Sequence, residues 1–254
     1  MIIDGHCHAG RGDGLTAPWN TDAPLGKYLR RARRAGIART LVVPAFHTDY
    51  VTANEELAAL VARHGGRLIG FCMIHAKNDA GRVEEMVGKA VELGLRGIKI
   101  HGHDALPGRE VFEAADRFRL PVLYDVAGKA HVVDMVAPQY PGVTIIVPHL
   151  GSFADDFRAH QLVIEQLVRY PNVYADTSGL RRFDYLVEAV RRAGPSKIIF
   201  GSDGPWLHPG LEMHKIRLLG LRREDEARIL GGNLARILSR RPIRAARRFA
   251  AVDG

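Results

Sequence analysis

Eight short apolar runs recur along these 254 residues, each followed by a stretch of helical period, and few folds accommodate that rhythm. The runs are residues 2–4, 40–44, 68–74, 97–100, 122–124, 144–147, 173–175 and 198–200. The segments between them place apolar residues at i, i+3, i+4 and i+7, the spacing of a half-buried helix. One such segment carries Val83, Met86, Val87, Ala90 and Val91, with Asp79 as the expected N-cap and Gly94 as the stop. Another carries Leu57, Leu60 and Val61, with Glu55 and Glu56 expected in its first turn and Gly65-Gly66 beyond its last. Pro121 precedes one strand and Pro148 follows another, as strand ends allow. Val143-Thr144-Ile145-Ile146-Val147 is nearly continuous in apolar residues, as a strand covered on both faces must be. Eight strand–helix units in about 250 residues predict an α/β chain folded as a (β/α)8 TIM barrel. The runner-up is an open doubly wound sheet, but no Gly-x-Gly-x-x-Gly turn follows the first strand. Residues 222–238 predict a last helix packed under the barrel.

No linker or composition shift divides the chain, so one domain over 1–254 is expected, with a basic tail at 240–254. No apolar run reaches the ~18 residues a membrane span needs, and no basic leader precedes the first strand. Two cysteines, Cys7 and Cys72, are too few for a disulfide framework. A cytoplasmic enzyme is the plain expectation. The net charge of +8 invites a nucleic-acid reading. However, the arginines are spread over expected helix faces without interleaved aromatics, so neither nucleic acid nor membrane is expected as a partner. A small anionic substrate suits the charge better, and a homodimer is the assembly this chain could form.

The chemistry concentrates where strands end. Of twelve histidines, eight (His6, His8, His47, His75, His101, His103, His149 and His208) fall at strand carboxyl ends or just beyond. In a barrel all those ends share one rim, where such folds place their active sites. His6 and His8 alternate along the first strand and therefore face the same way, with Cys7 turned into the outer layer. Asp203 ends the eighth strand, which neighbours the first in a closed barrel. Two imidazoles and a carboxylate with an open position suit Zn²⁺ first, with Mn²⁺ or Fe²⁺ as alternatives. Asp125 ends the fifth strand, where a further metal ligand would be wanted. His149 follows the sixth strand and is either a ligand or a group that polarises the reacting bond. Lys99 and His101 share the inner face of the fourth strand, and a buried lysine needs an anion, from the substrate or an aspartate. Asp176 ends the seventh strand as support for a ligand, and Trp19, Phe153 and Trp206 stand in rim loops as walls for an unsaturated substrate.

At these residues the chain resembles the amidohydrolase superfamily, in its amidohydrolase-related (type 2) branch. The resemblance runs through Asp4-Gly5-His6-Cys7-His8, Gly97-Ile98-Lys99-Ile100-His101, His149-Leu150-Gly151 and Phe200-Gly201-Ser202-Asp203-Gly204-Pro205, to the closing Ile229-Leu230-Gly231-Gly232-Asn233-Leu234-Ala235-Arg236. It implies a (β/α)8 barrel with a divalent metal on His6, His8 and Asp203. It further implies that Asp203 exchanges protons and His149 assists at the reacting group. One departure stands out: the branch ends its fifth strand Pro-Val-Leu-x-His, and here Pro121-Val122-Leu123-Tyr124 leads to Asp125. Either a carboxylate replaces that imidazole on the metal, or the metal is weakly held. A carboxylated Lys99 bridging two metals, as in other branches, is a lesser alternative.

Two activities follow. The first is hydrolysis of a small lactone, ester or amide by metal-activated water, with Lys99 or His101 steadying an anionic group. The second is non-oxidative decarboxylation of an unsaturated or aromatic acid. Two readings come from other classes. A metal-dependent DNase is known on a similar barrel, yet it carries a glutamate where His101 stands and Glu-Thr-Asp where Gly201-Ser202-Asp203 stands. A catalytically silent binding protein would follow if Asp125 had dismantled the metal site.

Overall fold

The computed structural model describes residues 1–13 and 22–243. Trp19 and the tail from 244 onward lie outside the described residues. Among the described residues, nine strand segments are interspersed with helices in the order β1 (Ile2–Ala9), α1 (Leu25–Arg34), β2 (Ile37–Pro44), α2 (Tyr50–Ala62), β3 (Leu68–Gly70), β4 (Cys72–Met73), α3 (Val83–Glu92), β5 (Ile98–His101), α4 (Arg109–Phe118), β6 (Val122–Asp125), α5 (His131–Val136), β7 (Ile145–Val147), α6 (Phe157–Arg169), β8 (Val173–Asp176), α7 (Phe183–Ala193), β9 (Ile198–Ile199), α8 (Pro209–Leu218), α9 (Arg223–Ala227) and α10 (Asn233–Leu238). All ladder pairings are parallel, β1 through β3 forming one sheet and β4 through β9 the other.

Backbone hydrogen bonds join both seams, and the barrel closes. Strands β3 and β4 are one expected strand interrupted at Phe71, whose N–H donates to Val42 O (2.9 Å) while Cys72 N–H turns to Gly97 O (2.9 Å). At the other seam Gly5 N–H donates to Phe200 O (2.8 Å), Asp203 N–H to His6 O (2.8 Å) and His8 N–H to Gly204 O (2.6 Å). The eight-stranded (β/α)8 barrel read from the sequence is therefore the fold, and the first and last strands touch where the metal reading requires it.

Strand alternation sorts the core into two layers. Outward residues such as Cys7, Val42, Cys72, Ile98, Ile100, Tyr124, Val147 and Phe200 pack against helices. Inward residues Ile3, Leu41, Ile69, Phe71, Leu123, Ile146 and Ile199 fill the lower barrel, closed from below by Leu234 and Ile237 of α10. The last helical stretch does sit under the barrel, but it is broken between α9 and α10 by a wider turn over Arg228–Gly232.

Two local expectations need correction. Asp79 does not cap α3, whose N-cap residue is Arg82; its Oδ2 instead accepts from His75 N–H (2.9 Å), tying down the turn after β4. Glu55 and Glu56 lie in the second turn of α2, because the helix starts earlier. Asp49 caps it, accepting from Val51 and Thr52 N–H, an arrangement worth about 1 kcal/mol.

Candidate metal centre

The upper barrel interior is lined with charge where the lower one is lined with aliphatics. Lys99, Asp125, Asp176, His6, His8, His149 and Asp203 are all buried. Burying so many ionisable groups is costly unless each is paired, and the pairing determines how each is aimed.

His6 and His8 point inward from the end of β1, and each has Nδ1 already engaged. His6 Nδ1 lies 3.0 Å from Asp176 Oδ2 and 3.1 Å from Ser178 Oγ, and His8 Nδ1 lies 3.1 Å from Pro44 O. An acceptor at Nδ1 fixes the proton there and frees Nε2 as a lone pair. Both free nitrogens face the same oxygen: Asp203 Oδ1 lies 3.7 Å from His6 Nε2 and 3.5 Å from His8 Nε2. Donors about 2.1 Å from a shared tetrahedral ion stand roughly 3.4 Å apart, so these spacings fit a divalent cation. Ligating imidazoles must also be neutral. Burial, then the charge of Lys99, lowers the pKa of His6 against the pull of Asp176. Burial, His6 and Lys99 hold that of His8 well down. By donor type, spacing and protonation, His6, His8 and Asp203 suit the metal expected of them, and their ligand atoms lie within 4.8 Å of one another.

A second trio, His6, His149 and Asp176, is equally compact, but its members are spent on one another. Asp176 Oδ1 accepts from His149 N–H (3.1 Å), Ser178 N–H (2.9 Å) and Ser178 Oγ (2.5 Å). Ser178 Oγ also stands 3.0 Å from His149 Nδ1. With these contacts the Asp176 carboxyl falls to about 2; its own burial opposes the shift, and His6 and His149 drive it. Asp176 and Ser178 thus tie the histidine of β1 to the one that follows β7. The sequence reading noted Asp176 and missed Ser178, for which a serine two residues beyond a strand end is no signal.

Asp125, expected as a further ligand, belongs to neither trio. Its Oδ2 lies 3.1 Å from His101 Nε2 and 3.4 Å from His149 Nε2, and its Oδ1 accepts from Ala127 N–H at 2.8 Å. His103 N–H donates to His101 Nδ1, so the His101 proton sits on Nε2 and faces the carboxylate. Burial would raise the Asp125 pKa, yet His101 and His149 hold it well below the usual range. Lys99 projects into the middle, its Nζ 3.5 Å from His6 Nε2. Burial lowers its pKa while Asp125, Asp176 and Asp203 oppose the shift.

His149 reaches this cluster through an unusual turn. Pro148–Gly151 follows β7, with His149 at φ 56°, ψ 22° and Leu150 at φ 48°, ψ 35°. Each non-glycine residue in the left-handed region costs roughly 1–2 kcal/mol. Its ring Nδ1 donates to Ser178 O at 2.7 Å. Burial lowers the pKa of His149, but the Asp125 hydrogen bond and charge, with Asp203 and Asp176, overcome it and raise it to about 9. Because the folded value exceeds the ordinary 6.5, this ion pair stabilises fully below about pH 6.5 and loses its contribution as pH rises through about 9. In chelator-treated protein, NMR titration is expected to show the His149 ring charged to near pH 9 and Asp125→Asn to remove that elevation. A ring titrating near 6.5 in the parent would refute the pairing.

Aromatic rings stand against the two histidines. Trp206 lies 4.6 Å from the His8 ring, Phe46 lies 5.7 Å from it, and Phe153 meets His149 edge-on at 5.1 Å. His47, His75 and His208 each use Nδ1 to accept a backbone N–H in their own turn. They shape loops around the rim. His208 is the N-cap of α8.

A closed barrel that gathers two neutral imidazoles and a carboxylate at its carboxyl rim is of the class that holds a metal for chemistry on small molecules. The Amidohydrolase family model matches residues 3–240, and the chain belongs to that family, whose members are metal-dependent enzymes. The fold is shared with 5-carboxyvanillate decarboxylase from Sphingomonas paucimobilis (16% identity, TM-score 0.72, 94% of this chain and 98% of that one). It is shared equally with a protein assigned as a 2-pyrone-4,6-dicarboxylic acid hydrolase from Pseudomonas putida (21% identity, TM-score 0.72, 94% and 97%). An amidohydrolase from Burkholderia multivorans with bound HEPES aligns at TM-score 0.75 (18% identity, 94% and 99%). No curated protein matches the sequence significantly. No helix among the described residues is long and apolar enough to cross a membrane.

Proposed function

We propose that this chain is a metal-dependent hydrolase of a small, anionic carbonyl compound, a lactone, ester or amide, with Zn²⁺ on His6, His8 and Asp203. The observation that carries this reading is the convergence of two unprotonated Nε2 atoms on one Asp203 oxygen, with both Nδ1 atoms already engaged and Lys99 Nζ 3.5 Å from His6 Nε2. A divalent ion held there supplies a Lewis acid and lowers the pKa of water toward 7.

The remaining work falls to the chain's own groups. Asp203 takes the proton released as water adds to the carbonyl carbon and returns it to the departing oxygen or nitrogen. His149, kept charged by Asp125, stabilises through its positive charge the oxygen that gains negative charge. Lys99 and His101 hold an acidic substituent of the substrate. Asp125 serves here as the partner of the two histidines, and metal titration of Asp125→Ala decides whether it also ligates: undiminished affinity removes it from the ligand set.

The aromatic side chains of Trp206, Phe46 and Phe153 beside His8 and His149 favour a flat, unsaturated substrate. They support a second reading, non-oxidative decarboxylation of an unsaturated or aromatic acid, in which Asp203 protonates carbon as carbon dioxide leaves. The two readings are separated by incubating Zn²⁺-loaded protein with a panel of aromatic carboxylic acids and of lactones. Release of carbon dioxide marks the lyase, and acid production from lactones without it marks the hydrolase. Metal-independent turnover of either set would refute both.

A further inference from the structure

The left-handed turn that aims His149 needs something to hold it, and most of the holding bonds are accounted for. His149 N–H is held by Asp176, Ser152 N–H donates to His149 O at 3.2 Å, and Gly128 N–H donates to Gly151 O at 3.2 Å. The backbone oxygen of Leu150 accepts from the ring of His160, Nδ1 to O 2.9 Å. His160 lies in α6, fully buried, its ring packed on Tyr185 of α7 at 5.1 Å. A carbonyl can only accept, so the ring proton sits on Nδ1. Nε2 is left with no hydrogen-bond partner. A buried, unsatisfied nitrogen is a cost that leucine at this position would avoid, so the packing alone gives no reason for an imidazole. The neighbouring turns of α6 close on the same loop. Gly151 stands at φ 97°, and a Cβ there would come within 2.7 Å of Val163 and 3.2 Å of Ala159 O.

We infer that His160, outside the metal centre, is the positioning residue for His149. Its single hydrogen bond to Leu150 O keeps residues 149–151 left-handed, so that the His149 imidazole reaches Asp125 and Ser178 rather than swinging back along the strand. The inference rests on the reading that His149 works at the reacting group, but the measurements that test the positioning itself need no substrate.

The test compares the full chain with His160→Leu, which keeps bulk and loses the donor, and with His160→Asn, whose amide nitrogen falls near the place of Nδ1. Amide hydrogen exchange is read at His149, Ser152 and Gly128, and Zn²⁺ affinity is measured by titration. His160→Leu is expected to speed exchange at those three amides about fivefold to tenfold, the loss of one neutral hydrogen bond. His160→Asn is expected to restore most of that protection. Zn²⁺ affinity should stay within about twofold in both variants, because His6, His8 and Asp203 are untouched. Exchange at the three amides unchanged in His160→Leu would overturn the inference. So would faster exchange across the whole barrel, or loss of Zn²⁺ affinity alongside it, since either would show a general loosening. If exchange behaves as expected but turnover in His160→Leu equals the parent's, positioning stands and the catalytic part given to His149 falls.

Discussion

Replacing His6 with alanine, or Asp203 with asparagine, is expected to leave a folded barrel that has lost its metal and its turnover. Asp203→Asn keeps the shape and hydrogen-bonding reach of the side chain while removing its charge. The change therefore isolates the carboxylate that faces both Nε2 atoms. His6→Ala removes one nitrogen donor and also strands the Asp176 carboxylate that the ring had engaged. A buried acceptor left unpaired costs roughly 1–3 kcal/mol, so this variant should melt lower than Asp203→Asn while losing the metal as completely. Activity should fall on the order of a thousandfold or more in each. Metal content per chain by elemental analysis, beside thermal melts and turnover, checks the set. Parent-like metal content and turnover in either variant would remove the three residues as a centre.

Gly97→Val is expected to be among the most destabilising single changes in the lower barrel. Gly97 precedes β5 on its inner face, and a Cβ there would stand 2.4 Å from the ring carbons of Phe71. That ring is fully buried among Ile69, Leu123 and their neighbours, with no direction of retreat. Overpacking of this kind costs typically 1–3 kcal/mol and occasionally more, and a rigid aromatic ring against a barrel strand belongs at the upper end. For a chain of this size, about 3 kcal/mol corresponds to a melting-temperature loss of roughly 6–12 °C. Phe71→Ala alone should cost about 3–5 kcal/mol through the cavity it leaves. Together the two changes should cost at least about 1 kcal/mol less than their sum, because valine then occupies part of the vacated space. Strict additivity in urea unfolding would mean that the ring does not cover Gly97.

The parts of this protein that were readable in advance are those governed by period and by chain order. Alternation within His6-Cys7-His8 put the two histidines on one side and Cys7 on the other, although an irregularity of β1 between Asp4 and Cys7 had already exchanged the faces relative to the inward Ile3. Eight repeats of strand and helix predicted closure, and closure brought the end of the last strand beside the first. Asp203 met the two histidines as a consequence of topology rather than of any local signal. The errors are equally physical. Asp79 and Asp49 are both aspartates in a turn ahead of a helix, and which one caps depends on an N–H direction that sequence does not carry.

Strand order and residue type were thus enough to name the barrel, its rim and the His-His-Asp group. Only the folded chain decided what each charged group does there. It gave Asp125 two imidazole partners, and it gathered His6, His8 and Asp203 as a compact trio beside them. It made Ser178 the link between His6 and His149 and set Leu150 O against a histidine ten residues further on. Period and topology bring residues to the same few ångströms of space. Ligation and proton placement turn on the last one or two, which the twist of distant strands and the seating of helices set.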